Sequence, residues 1–166
     1  MTTPYVSRAT VMTRGGLVCS TSPLAASAGV RILAEGGNAF DATIATAAME
    51  AVTVPAMCGL GGEVFAIIYQ ASTGNVFGIT STGQAPSAAT PAFFRSKGLA
   101  SMPNEGPLAV SPPGEVAAYQ YINDTFGTRP LSQLLAPAIG YAEEGHPLSP
   151  RVGRTFYGSA DKLARN

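Results

Sequence analysis

Residues 36–55 carry the sequence GGNAFDATIATAAMEAVTVP, and this stretch decides the fold because it predicts a helix with two defined ends. Asn38 is a good N-terminal cap, and the charge of Asp41, three residues later, favours the positive end of the helix dipole. Pro55 cannot continue a helix and therefore ends it. We predict a helix over residues 39 to about 54.

One narrow polar stripe runs along this helix. Its members recur at spacings of 3, 4 and 3 residues, and they are Thr43, Thr46, Glu50 and Thr53. The other positions are almost all small or apolar, so we expect the helix to be buried around most of its circumference. Two interpretations of the stripe stay open: a helix sandwiched between layers, or the wall of a polar cavity.

The segments on both sides of this helix predict an α+β protein. In chain order they are a strand at 17–20, a helix from 23 to about 35, strands at 64–69 and 76–80, and helices at about 114–124 and 131–144. Ser22 caps the first helix and Gly36 ends it. Residues 103–113 are rich in Pro and Gly and predict a surface loop between two halves. Adjacent helices followed by a hairpin fit a layered α+β fold better than a doubly wound parallel sheet.

The charge balance narrows the range of partners. Lys plus Arg and Asp plus Glu number 10 each, so the net charge is zero. We therefore expect no nucleic-acid partner and no membrane partner that depends on bulk charge. The apolar runs are also far shorter than the roughly 20 residues of a spanning helix. Residues 1–11 contain no apolar stretch of signal-peptide type, and on that basis we expect a cytoplasmic protein.

The residues that could carry chemistry do not form a complete active site. Cys58 precedes three glycines, yet the nearby Glu63 would raise the pKa of its thiol rather than lower it. The glycine-rich stretch 58–63 is like a phosphate loop in composition, but no Gly-Lys-Ser/Thr follows it, so we expect no nucleotide. His146 is the single histidine and predicts a helix-end or turn residue. Two Cys and one His suggest neither a metal site nor another cofactor.

Short segments of the chain match a known family in order and spacing. They are GGNAFDA at 36–42, GLGGEVF at 59–65, QAP at 84–86, SPPGEVA at 111–117, and Leu134 with PAI at 137–139 and AEEG at 142–145. Each is weak alone. Together, over about residues 15–150, they resemble the amino-terminal region of the large subunit in the gamma-glutamyltranspeptidase family, which includes acylase-like relatives.

This resemblance implies a fold and a reaction. The family consists of N-terminal-nucleophile hydrolases with a four-layer α-β-β-α sandwich, made as precursors that cut themselves into two subunits. The new N-terminal Thr of the small subunit is the nucleophile, and its own amine is the base. The family transfers or hydrolyses gamma-glutamyl groups, as in glutathione metabolism, or splits other side-chain amides in acylase relatives.

We therefore expect residues 1–166 to be a single incomplete domain with a partial α-β-β-α sandwich, the N-terminal fragment of a larger precursor. The expected partners are the remainder of that precursor and a small-molecule acyl amide substrate. The chain should contain no catalytic residue, because the nucleophilic Thr would lie beyond it, and it should be inactive alone. Two alternatives stay open: a non-catalytic binding or scaffolding domain that retains the fold, and an independent binding domain whose resemblance is accidental.

Two departures from the family pattern bear on the substrate. The resemblance implies a Gly-Arg-Glu-x-Ala-Pro segment whose Arg grips the substrate alpha-carboxylate. When its Ala-Pro is aligned with residues 85–86, the Arg falls on Thr82 and the Glu falls on Gly83. By this alignment the substrate-binding residues are Thr82, Gly83 and Gln84. A Thr cannot give the bidentate, charge-assisted grip of an Arg. Glu63 also stands where further Gly is usual, which makes that turn less permissive. We therefore expect an acylase-like enzyme that takes glutaryl groups as readily as glutamyl groups.

Overall fold

The computed structural model describes residues 9–164 and has an α+β fold made mostly of helices. Within that range the elements are, in chain order, α1 (Pro23–Ala34), α2 (Ala39–Thr53), β1 (Phe65–Gln70), β2 (Asn75–Thr80), α3 (Pro91–Ser96), α4 (Glu115–Phe126), α5 (Leu131–Glu144), α6 (Pro150–Gly158) and α7 (Ala160–Leu163). The two strands form an antiparallel sheet. The predicted bounds of α5 are confirmed without change.

The ends of α1 and α2 form as the sequence predicts. The Ser22 hydroxyl accepts a hydrogen bond from the backbone N–H of Ala25 at 3.4 Å, which caps α1. Gly36 follows the helix with φ of +88°, a conformation that glycine adopts without strain. Asn38 and Asp41 then form a reciprocal capping box at the start of α2, because each side chain accepts a hydrogen bond from the backbone of the other residue.

Helix α2 lies at the centre of the helical layer, where it contacts α1, α4 and α5. Ile44 and Met49 of α2 are almost completely buried, as is Leu134 of α5. A helix with neighbours on several sides can keep few polar residues, which explains its alanine-rich sequence. The burial of these apolar side chains is the main source of stability in the layer.

One buried charge ties α2 to the connection between α4 and α5. Asp41 is fully buried, and its carboxylate accepts hydrogen bonds from the backbone N–H of Thr128 at 2.9 Å and its hydroxyl at 2.5 Å. The backbone N–H groups of Asn38 and Arg129 complete the set. Burial alone would raise the pKa of Asp41, but these hydrogen bonds outweigh burial and hold the pKa below its ordinary value.

The β1–β2 hairpin presents one face to the helices. Ile68 is buried in the same core as α2, and Phe77 packs against Phe126 of α4 with ring centroids 5.3 Å apart. The opposite face is exposed and mostly apolar. Its large side chains have exposed fractions between 63% and 86%, and they are Phe65, Ile67, Tyr69 and Val76. The hairpin therefore has one covered face and one open face.

The predicted strand at residues 17–20 is wrong. Those residues belong to neither strand of the sheet, because its two strands pair only with each other. A short apolar run has strand propensity, but it becomes a strand only when a neighbouring strand accepts its hydrogen bonds. Helices α3, α6 and α7 are not among the predicted elements. No helix within residues 9–164 has the length and apolar character to cross a membrane.

Candidate functional site

Three of the motif segments meet at one place, which we call the junction. It is formed by the glycine-rich turn at 58–63, the segment 81–86 after β2, and the loop 111–114 before α4. The backbone N–H groups of Gly114 and Glu115 both donate to the carbonyl of Gly62, at 3.0 and 3.1 Å. The N–H of Ser81 donates to the carbonyl of Val64 at 3.0 Å. The junction is therefore held by backbone hydrogen bonds between segments far apart in the chain.

Two glycines allow these segments to approach each other closely. A Cβ atom at Gly114 would lie 1.8 Å from the carbonyl oxygen of Ser81, and one at Gly83 would lie 2.4 Å from Cβ of Pro112. Both distances are shorter than any contact between nonbonded atoms. By contrast, none of the glycines within 59–62 adopts a positive φ. At the junction, Gly83 and Gly114 therefore serve close packing rather than a left-handed turn.

The polar centre of the junction is the carboxylate of Glu63. It accepts a hydrogen bond from the hydroxyl of Thr82 at 2.9 Å through Oε2, and one from the hydroxyl of Ser111 through Oε1. The hydrogen bond from Ser111, followed by that from Thr82, lowers the pKa of Glu63 below its ordinary value. The carboxylate is therefore ionised at neutral pH.

The predicted substrate-binding residues lie together at the edge of an apolar groove. Thr82 and Gly83 line this groove, which has a volume of about 550 Å³, and Gln84 is exposed beside them. The other walls come mainly from α3 and the 102–112 loop, with Phe93 and Leu108 among them. Thr82 is thus placed between a carboxylate and an apolar cleft.

Cys58 lies where a thiolate is disfavoured. Burial raises the pKa of its thiol, and the carboxylates of Glu50 and Glu115 raise it further. The pKa of this thiol is raised, as the sequence predicts, but burial, Glu50 and Glu115 are the causes rather than Glu63. Tyr119 is buried next to Glu115 and donates its hydroxyl hydrogen bond to that carboxylate. Burial first, and Glu115 second, raise the pKa of Tyr119 far above its ordinary value, so the phenol stays protonated.

The polar stripe of α2 has two roles. Thr53 donates to the hydroxyl of Ser22 at 2.8 Å, and Glu50 accepts hydrogen bonds from the hydroxyls of Ser20 and Thr21 at 2.5 and 3.0 Å. These contacts hold the segment that precedes α1. The same face of α2, including Thr46, lines a groove of about 530 Å³ opposite residues 15–19. The packing interpretation and the groove interpretation therefore each describe part of the stripe.

His146 is a residue of the loop after α5, as predicted. Its Nε2 atom is buried and has no hydrogen-bond partner among the described residues, and its ring lies 6.2 Å from that of Tyr141. Within residues 9–164, no group of three His, Cys, Asp or Glu side chains is placed to hold a metal ion.

Comparison with known proteins identifies the family. The model of the family described as Gamma-glutamyltranspeptidase matches residues 25–166. The chain belongs to the gamma-glutamyltranspeptidase family. It is 33% identical over 156 residues to a glutathione hydrolase proenzyme of Bacillus subtilis (strain 168), a match that covers 92% of this chain but only 27% of the relative.

Two solved structures have a closely similar fold over the part that this chain covers. The crystal structure of Helicobacter pylori gamma-glutamyltranspeptidase matches with a TM-score of 0.87 and 35% identity, over 95% of this chain and 46% of that one. The crystal structure of cephalosporin acylase from Bacillus halodurans matches with a TM-score of 0.87 and 36% identity, over 99% of this chain and 31% of that one. The chain thus spans about a quarter of the curated relative and less than half of each solved chain.

In this member of the gamma-glutamyltranspeptidase family, the two residues that the sequence analysis expects to depart from the family pattern contact each other. Glu63 stands where Gly is expected and Thr82 where Arg is expected, and they form a hydrogen bond. From the sequence alone, we predict no hydrogen-bond partner for Glu63 and assign no site role to Ser111. The residue types alone could have indicated this contact. Glu63 is a hydrogen-bond acceptor and Thr82 is a donor, and each is unexpected in its motif segment.

Proposed function

We propose that this chain is the N-terminal segment of the large subunit of an acyl-amide hydrolase or transferase, made as a self-cleaving proenzyme. The match to about a quarter of a proenzyme in the same family carries this proposal. Gamma-glutamyl or related acyl amides would be the substrates. The nucleophilic Thr would lie in the remainder of the precursor, and the chain would be inactive without it.

The open face of the hairpin supports the proposal that the domain is incomplete. Ile67 and Phe65 expose 86% and 72% of their surface on β1, and such an apolar strand face is normally covered. In our proposal the remainder of the precursor covers it and completes an α-β-β-α sandwich. The isolated chain should then self-associate, and light scattering that shows a compact monomer at high concentration would argue against a missing partner.

We also propose that Thr82, Gly83 and Gln84 bind the acyl part of the substrate. Thr82 and Gly83 line the apolar groove, and Thr82 offers a neutral hydroxyl where the family pattern has a cation. A buried substrate carboxylate without a cation is disfavoured. An acylase-like preference therefore fits the site better than a glutathione-like one.

Activity measurements on two polypeptides test the proposed function. The 166-residue chain and the complete precursor would each be assayed with a chromogenic gamma-glutamyl anilide and a glutaryl anilide. We expect no turnover by the chain alone, and turnover by the precursor after it has cleaved itself. Turnover by the isolated chain that scales with protein and survives repurification would contradict the proposal. A precursor that neither cleaves itself nor turns over either anilide would favour the non-catalytic scaffolding alternative.

A further inference from the structure

The side chains that meet at Glu63 present hydrogen-bond acceptors rather than donors. A Ser or Thr hydroxyl has one hydrogen to donate, and Thr82 and Ser111 both donate theirs to Glu63. Thr82 also accepts a contact from the hydroxyl of Thr80 at 3.4 Å. A ligand that reaches these three side chains would therefore meet the lone pairs of the two hydroxyl oxygens and of the ionised Glu63 carboxylate.

Among the described residues, no neighbouring cation neutralises the negative charge of Glu63. No basic side chain within residues 9–164 lies within ion-pair distance of its carboxylate. Lys97 contacts the groove wall, with its Nζ 5.7 Å from the centroid of the Phe93 ring. A carboxylate has about four lone-pair positions, and only two of those on Glu63 are used. Glu63 can therefore accept further hydrogen bonds from a ligand.

We propose that Glu63 is a specificity-determining residue for the acyl group. The Glu63–Thr82–Ser111 cluster favours an acyl chain whose far end carries an amide N–H or an ammonium group, and it disfavours one that ends in a carboxylate. The aliphatic part of the acyl chain would lie in the apolar groove next to Thr82. This inference rests on the proposed function. It also sharpens it: a glutaryl group lacks the amino group of a gamma-glutamyl group but keeps the far-end carboxylate, so the charge of Glu63 should make it a poor substrate.

A matched pair of substrates isolates the charge of the acyl end. The complete, self-processed enzyme would be assayed with glutaryl and glutaramoyl p-nitroanilides, which differ only in a terminal carboxylate or carboxamide. We expect kcat/KM to favour the glutaramoyl substrate by about tenfold or more, because two carboxylates in contact repel each other. A 5-ammoniopentanoyl anilide should also exceed the glutaryl substrate. An equal or reversed preference in the wild-type enzyme would overturn the inference.

Variants then assign the preference to Glu63. Glu63→Gln should reduce the preference to within about threefold, mainly by lowering KM for the glutaryl substrate, because the like-charge repulsion is removed. Thr82→Val leaves the carboxylate of Glu63 in place, so this variant should still prefer the glutaramoyl substrate. Glu143→Gln, a substitution of an exposed carboxylate on α5, is the matched control and should change nothing. Lys97→Gln tests whether that cation attracts the glutaryl group instead. An unchanged preference in active Glu63→Gln would overturn the inference.

Binding measurements separate this inference from the proposed function. If the complete protein turns over none of the anilides, the proposed function fails, while the charge selectivity can still be measured. Saturation-transfer NMR with glutaramide and glutarate would then compare the wild-type protein with Glu63→Gln. The role of Glu63 is supported if the wild type binds glutaramide but not glutarate, and if the variant gains binding of glutarate. Equal binding of both probes, or of neither, overturns it.

Discussion

The helical layer and the hairpin differ in how completely they bury their apolar residues. In the helical layer, α2 contacts three helices, and its Ile44 and Met49 expose 1% and 2% of their surface. In the hairpin, Ile68 exposes 7% while its neighbour Ile67 exposes 86%. The inner faces of the helices are thus filled by residues of this chain, whereas the hairpin is covered on one face only.

This difference shows where stability and function are located. The interactions of the helical layer, including the buried Asp41, are satisfied by residues of this chain. The hairpin leads at both ends into the junction, where Glu63 and Thr82 stay accessible beside an apolar groove. Substitutions in the layer should therefore change stability, while substitutions on the open side should change association and specificity.

Replacement of Asp41 should have the largest effect on stability. Asp41→Ala removes the acceptor of hydrogen bonds from Thr128, Asn38 and Arg129, and we expect the free energy of unfolding to fall by about 4 kcal/mol. Urea denaturation of the chain at low concentration would measure it. Asp124→Ala is the control, since that exposed carboxylate only accepts a hydrogen bond from Gln120, and it should cost less than about 0.5 kcal/mol. A loss for Asp41→Ala as small as that of the control would contradict the anchoring role.

Two adjacent residues of β1 test the difference between the hairpin faces directly. Ile68→Ala should lower the free energy of unfolding by about 3 kcal/mol, because a buried side chain is truncated. Ile67→Ala should change it by less than about 0.5 kcal/mol, because that side chain is exposed, but should reduce self-association of the isolated chain. Urea denaturation and light scattering provide the two measurements. Similar losses of stability at both positions would show that the two faces do not differ.

The parts of the fold that depend on local chemistry could be predicted from the sequence. The start of α2 needs only Asn38 and Asp41, three residues apart, and the end of α1 needs only Gly36. The signal that revealed α1, a Ser followed by Pro, recurs as Thr90–Pro91 and Ser149–Pro150 before α3 and α6. Those helices are short, so they contain too few residues to give a clear helical periodicity.

The parts that depend on distant contacts could not be predicted. Whether residues 17–20 form a strand depends on a partner strand, which a local pattern does not contain. Glu63 contacts Thr82 and Ser111, which lie 19 and 48 positions away along the chain. The family resemblance supplied the position of Thr82 but not its hydrogen-bond partner. The chemistry of the junction therefore became visible only with the tertiary structure.

A pair of glycine substitutions should produce smaller, opposite changes in stability. Gly114→Ala places a Cβ atom 1.8 Å from the backbone oxygen of Ser81, and the forced shift should cost about 2 kcal/mol. Gly140→Ala within α5 meets no atom within 4 Å and should stabilise the protein by about 0.5–1 kcal/mol, because Ala is the better helix former. Thermal unfolding would compare the two. A neutral Gly114→Ala would mean that the junction can separate without loss.

The smallest predicted effect is the dependence of stability on acidic pH. The pKa of Asp41 is lower in the folded protein than the value of about 3.9 expected for an unfolded chain. Ionised Asp41 therefore makes its full contribution to the free energy of unfolding above about pH 4. This contribution is lost as the pH falls toward and through the pKa of the folded protein. The slope should not exceed about 1.4 kcal/mol per pH unit for one group.

Urea denaturation between pH 5 and pH 2 would measure this slope, with Asp41→Asn as the comparison. Asn retains part of the hydrogen bonding but does not titrate, so the variant should be less stable at pH 5 and should lose less stability on acidification. The two curves should approach each other at low pH, because protonated Asp41 and Asn are both uncharged. The same titration applied to Glu63→Gln should show little change, because Glu63 and its partners lie on the accessible side of the molecule. Parallel curves for the wild type and Asp41→Asn would show that the charge of Asp41 does not anchor α2 to the α4–α5 connection.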